Sequence, residues 1–224
     1  MGKKTEKEEL LHPCFDALSK SDLEQLWENA TILTFEKDEP IIKLNSFTTH
    51  IYYLIEGMAK VDVGIEKKNN TIRIVPSQRF IGTVYSFHDS QYKISAKALM
   101  PSKILLINAA TLKQIIRSNG NFAISLLEAT TRTAANTIER LLTYYNKTID
   151  GSLAAFLLQF SNISQENAFN IPFSRKEIAE IIGYSRENVT HTFTRFSKEG
   201  LIEQSGKTIK LLDIPRLKSI VQNG

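Results

Sequence analysis

Between Ala30 and Ile107 the chain alternates apolar and polar positions in short runs: TILTF, IYYLIEG, AKVDVGI, NNTIRIV, KISAKAL and KILLI. Period-two alternation is the mark of a strand with one buried face. Gly57, the pair Asn69-Asn70 and the pair Pro76-Ser77 supply turn chemistry between the runs. This spacing predicts a barrel or a double-stranded roll. A short helix is expected in front of it at 21–29, with Ser21 as cap and Glu24 closing the box.

The period then changes. From Asn121 to Tyr145 there is neither Gly nor Pro, and Ile124, Leu127, Thr131, Ala134, Ile138, Leu141 and Tyr145 recur in alternating steps of three and four. That is a heptad seam, weakened by the Thr and Ala within it. Two readings stay open: a helix that pairs with a second copy or spaces two domains, or an amphipathic helix lying on its own domain. Gly151 is expected to end the pattern. Beyond it SLAAFLLQFS predicts an apolar helix, SRKEIAEII a short one, and a third starts at Ser185. GLIEQSGKTIKLLD then reads as a hairpin turning at Ser205-Gly206. Three helices and a hairpin describe a winged helix-turn-helix. The expected fold is α+β: a cupin-like double-stranded β-roll over residues 1–119, a long dimerisation helix over 120–147, and a winged helix-turn-helix over 148–224.

Composition narrows the class without choosing it. Hydrophobic residues make up 42% and charged ones 23%, ordinary for a globular chain of 224 residues. A net charge of +4 permits a nucleic-acid partner but does not argue for one. From Lys147 onward ten Lys/Arg face eight Asp/Glu, so affinity there cannot rest on bulk charge. The single cysteine, Cys14, excludes an intramolecular disulfide and any site built from several thiolates. The N-terminal run MGKKTEKEELLHP carries no apolar leader, Glu6 stands where myristoylation needs Ser or Thr, and no segment is long enough to span a membrane. The expectation is a soluble cytoplasmic protein.

The chemistry concentrates in SRKEIAEIIGYSRENV. Ser174 can cap the first helix, with Glu177 closing the box. Ala179 lets two helices cross closely, Gly183 takes a left-handed turn, and Val189 packs the second helix on the first. In such a unit the second helix enters the major groove with its N-terminal residues at base edges. Arg186 can donate twice to guanine O6 and N7, and Glu187 can accept from the cytosine amino group. A carboxylate facing a polyanion is costly unless a base donor meets it, so Glu187 favours readout over a nonspecific grip. His191, one turn on, is a further candidate base contact. Ser174, Arg175, Ser185 and Asn188 at helix starts, and Lys207 on the wing, are candidate phosphate contacts. Arg195 and Lys198 read as a solvated face near the backbone.

The order of roll, long helix and winged helix-turn-helix, with SRKEIAEIIGYSRENVTHTFTRFSKEGLIEQSGKTIKL, resembles the CRP/FNR family of bacterial transcription regulators over nearly the whole chain. The resemblance implies a homodimer on double-stranded DNA, with RNA polymerase as a further partner, and a roll that binds an effector. It also implies that Ser185, Arg186 and Glu187 read a TGTGA-like half-site. His191 stands where CRP relatives usually carry arginine, which leaves the flank preference open.

For the effector, the cyclic-nucleotide members carry Gly-Glu and, about ten residues on, Arg-Ser. Here FIGTVYSFHDSQYKISAKAL keeps Gly82 but has Thr83 for the glutamate and Tyr92-Lys93 for the Arg-Ser pair. The ribose partner and the guanidinium fork for phosphate are both missing, which argues against cAMP. The oxygen-sensing branch needs a cluster of cysteines, so an iron–sulfur centre of that kind is excluded. For haem, His12, His50 and His88 are available without a motif. The remaining expectation is a modified pocket lined by Gly82, Thr83, Tyr85, Tyr92 and Lys93, with Thr133, Asn136 and Thr137 from the long helix, suited to a small organic anion. A short likeness to halorespiration regulators points the same way. Ordinary roll packing of these tyrosines is the alternative, as is a regulator that needs no effector.

A barrel enzyme is the rival from another class. Metal-dependent barrels cluster histidines with a carboxylate on adjacent strands, whereas His50 and His88 stand alone. No cofactor, metal or catalytic residue is assigned.

Overall fold

The structure is a computed structural model and describes residues 12–65 and 68–224. The run from Met1 to Leu11, read above for a leader and for myristoylation, lies outside them.

A short 3-10 turn, Pro13–Ala17, leads into α1, Lys20–Glu28. Its cap is Ser19 with Asp22 closing the box, not Ser21 with Glu24. Both pairs have the required spacing. Asp22 is preferred because its carboxylate also accepts from Asn119 Nδ2 at 2.9 Å.

The strands β1 (Ala30–Phe35), β2 (Pro40–Ile42), β3 (His50–Glu56), β4 (Met58–Ile65), β5 (Lys68–Pro76), β6 (Arg79–Ile81), β7 (Ser95–Ala98) and β8 (Ser102–Asn108) form two four-stranded sheets. One has the order β1-β8-β3-β6 and the other β2-β7-β4-β5, the expected double-stranded roll. Asn69 and Asn70, expected at a turn, instead pair within β5 opposite Gly64 and Val63. Helix α2 (Thr83–His88) follows β6.

Alternation along β3 and β8 explains the two cores. Ile51, Tyr53 and Ile55 of β3, with Leu105 and Ile107 of β8, face α1, α3 (Ala109–Ser118) and the start of α4 (Gly120–Asn146). Leu54 and Ile104 point the other way, into the roll interior with Ile42, Val61, Val75 and Tyr92. Each such fully buried side chain contributes roughly 1.5–3 kcal/mol, so a one-residue slip that exchanged the faces would be costly.

The chain divides into two compact units inside α4, between Asn136 and Thr137. Near its start α4 buries Phe122 and Leu126 with the roll's helices. Near its end the Tyr144 hydroxyl donates to Gln159 Oε1 at 3.0 Å in α5, Ile149–Ser164. The helical pattern breaks at Lys147-Thr148 and not at Gly151, which lies inside α5. Thr148 takes an extended ψ of 168° and caps α5 through its side chain.

The second unit continues with β9 (Ala168–Asn170), α6 (Arg175–Ile182), α7 (Arg186–Lys198), β10 (Ile202–Ser205), β11 (Thr208–Leu211) and α8 (Ile214–Asn223). Ser205 pairs with Thr208, so the wing turns at Gly206-Lys207, one residue later than expected. Strand β9, which the sequence pattern did not announce, completes a sheet of order β10-β11-β9. Phe160 of α5 stacks near Phe169 of β9 and meets Phe173 edge-on, which ties this sheet to the helices.

Candidate nucleic-acid interface

Helix α6 begins at Ser174, whose hydroxyl accepts the Glu177 N–H at 3.2 Å while the Glu177 carboxylate accepts the Ser174 N–H at 2.9 Å. It ends at Gly183, which takes φ of 80°, a left-handed conformation natural to glycine. The N–H groups of Gly183 and Tyr184 both donate to the Ala179 carbonyl, so the turn is fixed by its own backbone.

Helix α7 starts immediately after, with the Ser185 hydroxyl accepting from the Asn188 N–H at 3.2 Å. Val189, Thr192, Phe193 and Phe196 are buried, the three- and four-residue spacing of one helix face. The opposite side is left to solvent. Arg186, Glu187, Asn188 and His191 are all exposed, as are Ser174, Ser185 and Lys207. Glu187 sits in the first turn of α7, where the helix dipole favours a carboxylate. The exposed Thr190 and Thr194 hydroxyls bond back to the Arg186 and Thr190 carbonyls.

A cleft of about 200 Å³ runs between the start of α6 and the wing, lined by Ser174, Arg175, Gln204, Gly206 and Lys207 over Ile171. Arg175 is not a loose cation on its rim. Its guanidinium lies over the Phe193 ring, 3.2 Å from the centroid, and donates to Gln204 Oε1 at 2.6 Å. Burial pulls its pKa down to about 10, which leaves it charged at neutral pH. Arg195, read from the sequence as a solvated surface residue, is half-exposed and ion-pairs with Asp150 of α5.

The expected effector residues are less open. Gly82 caps α2 in the left-handed region, and a Cβ there would come within 2.9 Å of the Tyr92 ring. Tyr92 itself is 0% exposed and donates its hydroxyl to the His50 carbonyl at 2.6 Å. Of its two sequence readings, pocket wall or ordinary roll packing, its burial and its engaged hydroxyl favour the second. Thr83 is buried, Tyr85 half-buried against Tyr92, and Lys93 exposed. On α4, Asn136 is exposed and Thr133 and Thr137 are half-buried.

The whole seam Ile124, Leu127, Thr131, Ala134, Ile138, Leu141 and Tyr145 is exposed in the protomer, with Tyr145 at 87%. Among the described residues no group of His, Cys, Asp and Glu is arranged to hold a metal ion, and no helix is long and apolar enough to cross a membrane. Cys14 is buried in the roll's helical core, and burial pushes its thiol up to about 12.

Sequence reasoning missed three contacts here: Arg175 on Phe193, Arg195 on Asp150, and the Tyr184 hydroxyl on the Lys147 carbonyl. Each joins residues distant in sequence, and no local pattern announces such a pairing.

Residues 32–119 match the model of a cyclic nucleotide-binding domain, and residues 151–220 match that of a Crp-like helix-turn-helix domain. The transcriptional activator protein FnrA of Stutzerimonas stutzeri is 29% identical over 54% of this chain and 52% of its own length. A regulatory protein of Bordetella pertussis, btr, is 28% identical over 59% of this chain and 57% of its own length, so the chain spans little more than half of these two relatives. The cAMP-activated global transcriptional regulator CRP of Pasteurella multocida is 26% identical over 84% of this chain and 92% of its own length. Among solved structures, FixK2 from Bradyrhizobium japonicum shares the fold with a TM-score of 0.76 at 18% identity, over 85% of this chain and 96% of that one.

Proposed function

We propose that this chain, which belongs to the CRP/FNR family of transcription regulators, is a homodimer that reads a palindromic, TGTGA-like site in double-stranded DNA. The observation that carries the reading is the tip of α7, where Arg186 and Glu187 stand exposed, side by side, on a helix whose far face is anchored by Val189, Phe193 and Phe196. Arg186 donates to the guanine edge and Glu187 accepts from the cytosine amino group. Ser174, Ser185, Asn188 and Lys207 hold phosphates on either side, with the partial positive charge of the helix starts behind them. RNA polymerase is the further partner that membership of this family implies.

Dimerisation supplies what charge does not. A net +2 from Lys147 onward gives a weak electrostatic grip. Two reading heads, aimed by pairing of the exposed α4 seam, bind half-sites about 10 bp apart and multiply two modest affinities. Titration of one palindrome and of one isolated half-site, followed by gel mobility, tests this. Binding of the palindrome about 100-fold tighter than the half-site is expected, and equal binding of the two would refute a dimeric reader.

The roll is where control enters, through a small organic effector other than cAMP that shifts the placement of the two heads. A second reading, a regulator always competent for DNA, is favoured by the burial of Tyr92 and Thr83, which are thereby withdrawn from contact with an effector. Melting the protein against a panel of aromatic acids and nucleotides separates the two, since any ligand that binds the folded roll raises the melting temperature.

A further inference from the structure

We infer that Tyr184 and Arg195 are positioning residues that fasten the reading helix α7, near both its ends, to the joint between α4 and α5. The inference rests on the reading of α7 as the helix that meets DNA.

The joint is short. Helix α4 ends at Asn146 and α5 begins at Ile149, leaving Lys147 and Thr148 between them. A carbonyl at a helix end has lost its intrahelical donor and must find another. At Lys147 that donor is the Tyr184 hydroxyl, 2.5 Å away and 37 positions along the chain. Tyr184 is itself immobilised, since its N–H donates to the Ala179 carbonyl at 3.0 Å, and it directly precedes the cap of α7, Ser185. Near the other end of α7, Arg195 ion-pairs with Asp150 in the first turn of α5.

Both attachments therefore converge on residues 147–150, about 15 Å apart along α7. The joint is in turn tied to the last turn of α4, where Ser152 Oγ donates to the Tyr144 carbonyl at 3.4 Å and Tyr144 donates to Gln159. Tyr144 is buried, so this end of α4 moves with α5 as one piece. A helix held near one end only can pivot about that point. Held near both, it keeps its angle to the last turn of α4, and subunits paired through Ile138, Leu141 and Tyr145 then present their two heads at one spacing. The half-exposed Asp150–Arg195 pair adds direction more than strength. The Tyr184 hydroxyl is the more decisive tie, because removing it strands a carbonyl acceptor at the joint.

The test uses the full chain with Tyr184→Phe, which keeps the ring and deletes only the donor, and with Asp150→Asn as a second variant. Hydrogen exchange without DNA reads the joint, and gel mobility on palindromes whose half-site separation is stepped by single base pairs reads the aim. Both variants should keep the wild-type melting temperature to within a few degrees and bind unrelated duplex as the wild type does. Exchange at 147–152 should quicken, and the preference for the best spacing over the next should fall about 3- to 10-fold for Tyr184→Phe. Unchanged exchange would overturn the tie itself. Quicker exchange with the spacing preference intact would overturn its positioning role. A wild-type protein that binds no palindrome would instead sink the dimeric reading, with exchange still deciding whether Tyr184 holds the joint.

Discussion

The hydroxyls of Tyr92 and Ser86 stand 2.8 Å apart, and both residues are fully buried. This pair latches α2 to the roll's core at the place where the sequence left a pocket and ordinary packing both open. Tyr92→Phe removes the partner of a buried hydroxyl without changing the ring. It should lower the unfolding free energy by about 1–3 kcal/mol, read from the urea midpoint. An unchanged midpoint would mean that the latch carries no stability.

Arg175 distinguishes a clamp from a phosphate contact. As a phosphate contact its loss would reduce the salt slope of DNA binding by about one. The stacking on Phe193 and the bond to Gln204 predict otherwise. Arg175→Leu should cost about 1–3 kcal/mol of stability and leave the salt slope unaltered. Urea denaturation and a salt titration of binding check the two halves separately.

The exposed seam makes a prediction that concerns assembly and not folding. Leu127→Glu with Ile138→Glu places like charges along α4 at residues that touch no core in the protomer, since both are more than half exposed. Sedimentation should show a dimer for the parent and a monomer for the double variant, with helix content by circular dichroism unchanged. A dimer that survives both substitutions would put the interface elsewhere.

His12 gives the fold a defined response to acid. Burial, helped by the nearby Arg79 and Arg132, holds its imidazole below the ordinary value, and its Nδ1 accepts the Cys14 N–H at 3.1 Å. The unfolded chain therefore takes up a proton at a pH where the folded one does not. Stability is full above about pH 6.5, falls as pH drops from there toward the lower folded value, and then levels. Urea midpoints at pH 7.5 and 5.5 should differ in this sense, and His12→Asn should shrink the difference by removing the titrating ring.

Much of this was legible in the chain because the informative signals are local. The caps and turn of SRKEIAEIIGYSREN, with Ser174, Gly183 and Ser185 at their expected stations, depend on spacings within one or two turns. The alternation of IYYLIE fixed the faces of β3 for the same reason. What stayed hidden was set by distant partners. Ser19 and Ser21 carry equivalent capping patterns, and only Asn119, 97 residues beyond Asp22, separates them. Tyr92 reads equally well as pocket lining or core until the His50 carbonyl is seen to accept its hydroxyl's hydrogen bond. Arg195 looks like any surface arginine until Asp150 comes beside it.

Whether Arg186 discriminates a base is read from the affinity of Arg186→Ala for a TGTGA palindrome and for the same duplex with the contacted guanine replaced. The parent should lose about 1–3 kcal/mol per half-site on the guanine change, whereas the variant should bind both duplexes alike and as weakly as the parent binds the altered one. A variant that still prefers the guanine duplex by the parent's margin would contradict it.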